Sequence, residues 1–412
     1  MINRIELDNG VRILAEQIPT VRSISIGIWI GTGSRFEQKQ ENGISHFLEH
    51  MFFKGTTSRS AAEIAESFDR IGGQVNAFTS KEYTCYYAKV LDEHAGYAVD
   101  ILADMFFHSV FDEEELKKEK NVVFEEIKMV DDTPDDIVHD LLSEASYGKH
   151  PLGLPILGTV ETLQTFTSET LRDYIDRFYT GSNVVVSIAG NVTADVIEQL
   201  KSVFSKVKPS TNTFKLEAPA FFSETIVRKK ETEQAHLCLG YPGLAVGSTD
   251  IYALVLLNNL LGGSMSSRLF QEIREKRGLC YSVFSYHSSY QDSGMLTVYA
   301  GTAHQQLEDL TSALLETTGQ LAEEGITEKE LQNGKEQLKG SLMLSLESTN
   351  SRMSRNGKNE LLLRKHRTLD DMLAEINGVT LSQVNSLAGQ ILKEKPSISL
   401  INSTGKLPVN LQ

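Results

Sequence analysis

"GISHFLEHMFFKGT", residues 43–56, sets two histidines and a glutamate within five positions of one another in a stretch that otherwise reads as a buried apolar helix. His46 and His50 are four apart, so on a helix they lie one above the other, where two imidazoles can bind a single cation. Glu49 flanks the same face. On the N-terminal side, residues 21–30, "VRSISIGIWI", alternate like a half-buried strand and run into the glycine-rich corner "GTGSRFE". Before that, "MINRIELDNGVRILAEQ" alternates around Asp8-Asn9-Gly10, the signature of a β-hairpin. On the C-terminal side, "SAAEIAESFDRIGG" has helical spacing and a glycine stop, and "QVNAFTS" and "YTCYYAKV" read as two strands joined by a short loop. Two helices follow near 94–109 and 112–130, the second with acids in its first turn and bases after them, as the helix dipole favours. "SNVVVSIAGNV" is a nearly continuous apolar run, the pattern of a central strand.

From 206 to 225 the chain loses periodicity and gathers Pro, Ser and Thr, which predicts a domain at 1–210, a linker at 211–225 and a second domain at 226–412. Beyond the linker the order of elements repeats. There is a strand at "AHLCLGYPGL", a helix near 249–262, a helix at "SRLFQEIREKRG", strands at "CYSVFSYHSS" and "GMLTVYAG", and then long helices. The expected fold class is therefore α+β, in two duplicated domains that each pack a mainly antiparallel sheet with helices. The second copy has no HxxEH, so chemistry that needs the motif belongs to the first half.

A chain of 412 residues is too long for one ordinary core and needs no staple to fold. Cys85, Cys238 and Cys280 are odd in number and widely separated, which argues against a disulfide framework and for a reducing compartment. The net charge of −15 is spread along the chain and disfavours nucleic acid or an anionic membrane as partner. No stretch approaches the roughly 18 consecutive apolar residues of a membrane span. The first residues read as a hairpin and not as a signal peptide, so the expected location is cytoplasmic.

Zinc is the metal best matched to imidazole nitrogen plus carboxylate, and H-x-x-E-H is the inverted zinc-peptidase motif. A catalytic zinc needs a third protein ligand. "DEEELKKEKNVVFEEIKMV" offers many carboxylates; Glu119 and Glu126 are two turns apart and share a face, while Glu115 and Glu125 point elsewhere, and spacing alone does not choose among them.

Taken in order, "GTGSRFE", "GISHFLEHMFFKGT", "GGQVNAFTSKEYTCYYA", "NVVFEEI" and "HPLGLPILGT" resemble the inverzincin zinc endopeptidases of the mitochondrial processing peptidase, pitrilysin and insulysin family, most of all its short bacterial processing-protease-like members. The resemblance implies one Zn2+ per chain held by His46, His50 and Glu126, with Glu49 as general base and Glu119 supporting the site. It also implies an edge strand at "GGQVNAFTS" whose backbone, at Asn76 and Ala77, pairs with an extended peptide. In "IREKRGLCYS" it assigns Arg274 to the substrate backbone and Tyr281 to the developing oxyanion, with Arg277 a competing cation nearby. Two chains are expected to pair as a clamshell homodimer around a chamber, Arg274 and Tyr281 of each serving the zinc of the other. The implied activity is zinc-dependent hydrolysis of peptides or unfolded segments bound as an added strand. The alternatives are a non-catalytic assembly subunit, whose zinc motif is typically broken, and the metal-bearing half of a heterodimer; one sequence carrying both residue sets favours a homodimeric enzyme.

Overall fold

The computed structural model describes residues 2–210 and 216–412. The chain divides into two units that each draw on both halves of the sequence. Unit 1 comprises Met1–Ile127, Pro155–Leu216 and Leu344–His366, and unit 2 comprises Lys128–Leu154, Glu217–Met343 and Arg367–Gln412.

In unit 1 the hairpin at Gly10 joins β1 (Ile2–Glu6) to β2 (Arg12–Gln17), with Gly10 at a φ of 91° that a side chain would resist. With β3 (Ser23–Ile30), β4 (Gln74–Thr79), β5 (Thr84–Leu91) and β6 (Val184–Gly190) they form a six-stranded sheet in the order β1-β2-β6-β3-β5-β4. Only the β2–β6 pairing is parallel. β6 is buried along its whole length, as its unbroken apolar run predicts. The alternation in β3 sends Ile24, Ile26, Ile28 and Ile30 into the main core and Trp29 to the opposite face.

That opposite face is covered by helix Thr349–Leu363, from far along the chain. Trp29 Nε1 donates to Met353 Sδ at 3.4 Å, and Ser187 Oγ donates to the Met353 carbonyl at 2.8 Å. Gly357 lets the helix backbone lie against the indole: a Cβ there would stand 2.4 Å from Trp29 Nε1. Two polar stations fasten the helix to the sheet. Glu16 accepts from Arg352 and Asn356, each at 2.6 Å, and the fully buried Glu360 accepts from Arg4 and pairs with Arg12 at 3.5 Å.

Unit 2 repeats the plan. β7 (Thr225–Lys229), β8 (Ala235–Pro242), β9 (Ser282–Ser289), β10 (Gly294–Thr302) and β11 (Ser397–Asn402) form a sheet in the order β7-β11-β8-β10-β9. Position by position this is the order β2-β6-β3-β5-β4, and again only the first pairing is parallel. Here helix Pro134–Tyr147 covers one face, packing Val138, Leu142 and Tyr147 against Cys238, Met295, Tyr299 and Ile401.

A single cut at 211–225 does not describe this division, because it would strip from each sheet a helix that covers it. Residues 211–215 of the expected linker lie outside the described residues. The three cysteines are free, Cys85 and Cys238 buried and Cys280 half-buried. No helix among the described residues is long and apolar enough to cross a membrane.

Candidate active site

Helix Ile44–Met51 begins on Gly43, whose φ of 96° excludes a capping side chain of its own. Glu37 takes over the cap: its carboxylate accepts the N–H groups of Gly43 and Ser45, each at 2.8 Å, at the end where the helix dipole favours negative charge. Ile44, Phe47, Leu48 and Met51 face the core, which turns His46 and His50 to the other side with their Nε2 atoms 3.3 Å apart. Helix Glu113–Asp132 is seated on the same core by Leu116 and Val123. Glu119 and Glu126 each follow one of these by three residues and so share the inward face. Glu126 Oε2 lies 3.7 Å from His46 Nε2 and 3.5 Å from His50 Nε2.

Tetrahedral ligation at about 2.0–2.1 Å sets donor separations of about 3.3 Å. Two imidazole nitrogens and a carboxylate oxygen at 3.3, 3.5 and 3.7 Å therefore fit zinc. The protonation state of His46 fits as well. Burial, with the charge of His50 adding to it, pushes His46 down to about 3, so its ring is neutral and carries a lone pair. Burial works against protonation of His50, but the hydrogen bond with Glu119 and the charges of Glu119, Glu126 and Glu49 outweigh it and raise its pKa. Glu119 Oε1 stands 2.8 Å from His50 Nδ1; a carboxylate only accepts, so the ring donates from Nδ1 and aims Nε2 at Glu126. His46 has no such support, and its buried Nδ1 is without a partner among the described residues. Burial pushes the Glu49 carboxyl up, against the pull of Thr79 and His50.

Residues 12–160 match the family model described as Insulinase (Peptidase family M16), and residues 165–338 match the one described as Peptidase M16 inactive domain. The chain is 64% identical to the uncharacterized zinc protease YmxG of Bacillus subtilis (strain 168), over 99% of this chain and 100% of that one. The chain belongs to peptidase family M16. An uncharacterized zinc protease of Streptomyces coelicolor is 43% identical, over 97% of this M16 chain and 89% of the relative. Among solved structures, a protease from Helicobacter pylori superposes with a TM-score of 0.90 at 24% identity, covering 98% of this chain and 99% of that one. A peptidase M16 inactive domain from Pseudomonas fluorescens gives 0.91 at 21%, covering 99% of each. At such identities the two structures speak for the fold alone.

The other residues expected of an M16 site fall as follows. Asn76 is exposed and Ala77 buried on β4, an edge strand of its sheet, and the Ala77 N–H donates to Asn76 Oδ1 at 2.8 Å. Arg274 and Tyr281 belong to unit 2, where residues Phe270–Lys276 wind as a π-helix in place of the regular helix expected there. The Arg274 guanidinium stands 4.6 Å from the Phe270 ring centre and 4.8 Å from that of Tyr281, whose side chain is 77% exposed. The competing Arg277 is engaged by Glu316 at 2.6 Å. Glu115 pairs with Lys118 at 2.6 Å and Glu125 is exposed, so neither joins the donor cluster.

Two site residues were not foreseen. Lys54 Nζ lies 2.6 Å from Glu119 Oε2 and neutralises it; its spacing of four from His50 was the available signal. Thr79 Oγ1 donates to Glu49 Oε2 at 2.6 Å, a contact across 30 positions that no local pattern announces.

Proposed function

We propose that this M16 chain is a zinc-dependent endopeptidase that cleaves peptides or unfolded segments laid as an extra strand along β4. The observation that carries the reading is the convergence of His46, His50 and Glu126 on one point with Glu49 in the same helix turn. When bound, zinc supplies a Lewis acid that polarises the scissile carbonyl and acidifies a water. His46, His50 and Glu126 hold it, and Glu119 keeps the His50 ring in its liganding tautomer. Glu49 accepts a proton from the attacking water and returns it to the leaving nitrogen; its half-buried, raised carboxyl suits a group that must both take and give. Peptide main chain pairs with the free edge of β4 at Asn76 and Ala77, a grip that reads backbone before side chains. Tyr281 donates to the oxyanion and Arg274 steadies the substrate backbone, both supplied by the second chain of a clamshell homodimer. The exposure of Tyr281 and its stacking on Arg274 support that role. An intact ligand set is what an enzyme needs and a scaffold member does not.

Elemental analysis and cleavage of an unstructured peptide, with and without a chelator, test the reading. One zinc per chain and chelator-sensitive cleavage, abolished in a metal-loaded Glu49→Gln chain, are expected. Cleavage by that variant at the wild-type rate overturns the role of Glu49, and a pure chain that neither binds zinc nor cuts peptide overturns the hydrolase.

A further inference from the structure

The corner "GTGSRFE", Gly31–Glu37, holds no ligand and no base, yet it fixes two parts of the site to each other. On one side it grips the turn that closes β4 on β5. The Ser34 N–H donates to the Ser80 carbonyl at 3.2 Å and the Arg35 N–H to that of Lys81 at 2.7 Å. Arg35 and Glu82 form a buried ion pair at 2.6 Å. Gly33 is pressed so close that a Cβ would stand 2.1 Å from the Ser80 carbonyl oxygen. On the other side the same corner supplies Glu37, which caps the helix that carries Glu49. The helix and the end of β4 are thus held from one short segment.

The contact this bracket sets up is Thr79 Oγ1 to Glu49 Oε2 at 2.6 Å. A hydroxyl has one proton to give, and its other acceptor, the Ser45 carbonyl, is at 3.5 Å, so the proton goes to Glu49. With Oε2 tied down, Oε1 of Glu49 has no protein partner among the described residues. We propose that Thr79 is the positioning residue of Glu49: by holding one carboxylate oxygen it points the other at the reacting water, and it links the strand that receives the peptide to the base that acts on it. This rests on the reading of Glu49 as the general base. Thr79 ends β4, two residues beyond Ala77, so a peptide that straightens or shifts the strand moves the anchor of the base as well.

Three variants test it by steady-state cleavage of an unstructured peptide, with zinc content and peptide affinity measured on each. Thr79→Val keeps the shape and removes the hydroxyl; kcat is expected to fall about 10- to 100-fold, the scale of a misplaced catalytic group. KM, zinc content and peptide affinity, read by fluorescence anisotropy on the Glu49→Gln background, are expected to stay near wild type. Thr79→Ser restores the hydroxyl and is expected to return most of the lost kcat. Wild-type kcat in the Val variant, or a Ser variant as slow as Val, overturns the positioning role while an inactive Glu49→Gln chain leaves the base in place. Should the Val chain fail to fold, Thr79→Ala against Thr79→Ser carries the same comparison. Full turnover by Glu49→Gln removes the base itself and this inference with it.

Discussion

Replacing Glu119 by Gln should weaken zinc binding about 10- to 100-fold, and the geometry says why a change so slight in shape is felt. Glu119 is buried, with one oxygen 2.8 Å from His50 Nδ1 and the other 2.6 Å from Lys54 Nζ. A glutamine fits the space but has a single acceptor for two donors. With its oxygen toward His50, its amide protons face the Lys54 ammonium and that cation is left unpaired. With its oxygen toward Lys54, its amide protons face Nδ1, which must then accept, and the ring proton moves to Nε2, where the lone pair for the metal should be. The second arrangement keeps both hydrogen bonds and so prevails without metal; liganding forces the first, at the loss of one hydrogen bond to a charged group, worth about 1.5–3 kcal/mol. At 1.4 kcal/mol per factor of ten, that is about one to two decades of affinity. The assay is a competition titration against a chromophoric zinc chelator at neutral pH, with Glu125→Gln, on the exposed side of the helix, as the control. Affinity within about twofold of wild type in Glu119→Gln would refute the argument, since that is below the smallest loss the hydrogen bond allows.

Further outcomes are expected. Mixing Glu49→Gln chains with Tyr281→Phe chains should recover part of the activity neither has alone, if the sites are completed in trans; no recovery from dimers shown to exchange leaves the pair acting in its own chain or not at all. Glu360 is opposed by burial, but Arg4, His366 and Arg12 outweigh that and hold its carboxyl below the ordinary 4.5. The unfolded chain then binds the proton more readily, so this stability is complete above the ordinary value and drains as pH falls from 4.5 through the native one. Glu360→Gln should flatten that acid slope in urea unfolding and, by leaving the buried Arg12 uncompensated, cost about 3–5 kcal/mol at neutral pH; an unchanged slope counts against the account. Gly357→Ala would gain about 1 kcal/mol of helix propensity elsewhere, yet here its Cβ meets Trp29 Nε1 at 2.4 Å, so thermal unfolding should show a net loss of about 1–3 kcal/mol. A higher melting temperature would mean the helix can shift off the indole.

The parts of this site that were legible in the sequence are those set by contacts within a helical turn or along a strand. His46, Glu49 and His50 declare themselves by spacing, and β3 and β6 by their apolar patterns. Glu126 did not: it shared its face with Glu119, and only the resemblance picked it out. The structure supplies the missing physics, because Leu116 and Val123 seat the helix so that Glu126 reaches both imidazoles while Glu119 reaches the back of one. Thr79 and Lys54 depend on pairings across 30 and 65 positions, which hydrophobic periodicity does not encode. The domain boundary failed for a related reason. A loss of periodicity marks where a chain is irregular, but which helix covers which sheet is decided by packing, and helices Pro134–Tyr147 and Thr349–Leu363 cover sheets built from the other half of the sequence.

The duplication bears on why three titratable side chains stand in an apolar helix at all. Unit 2 keeps the strand order and the sense of every pairing from β2 to β4. In it the helix that follows β8, Ile251–Leu261, reads "IYALVLLNNLL" and carries neither histidine nor acid. A fold that forms without such groups does not require them, and burying His46 to 8% exposure while holding Glu49 half-buried costs solvation that no core contact returns. Perturbed groups gathered without structural need are the physical mark of chemistry. The apolar copy thus serves as an internal control for the charged one. Substituting the three residues by the apolar kinds found there should raise stability while removing metal affinity, and a stability loss instead would mean that they hold the fold and the catalytic account has no physical basis.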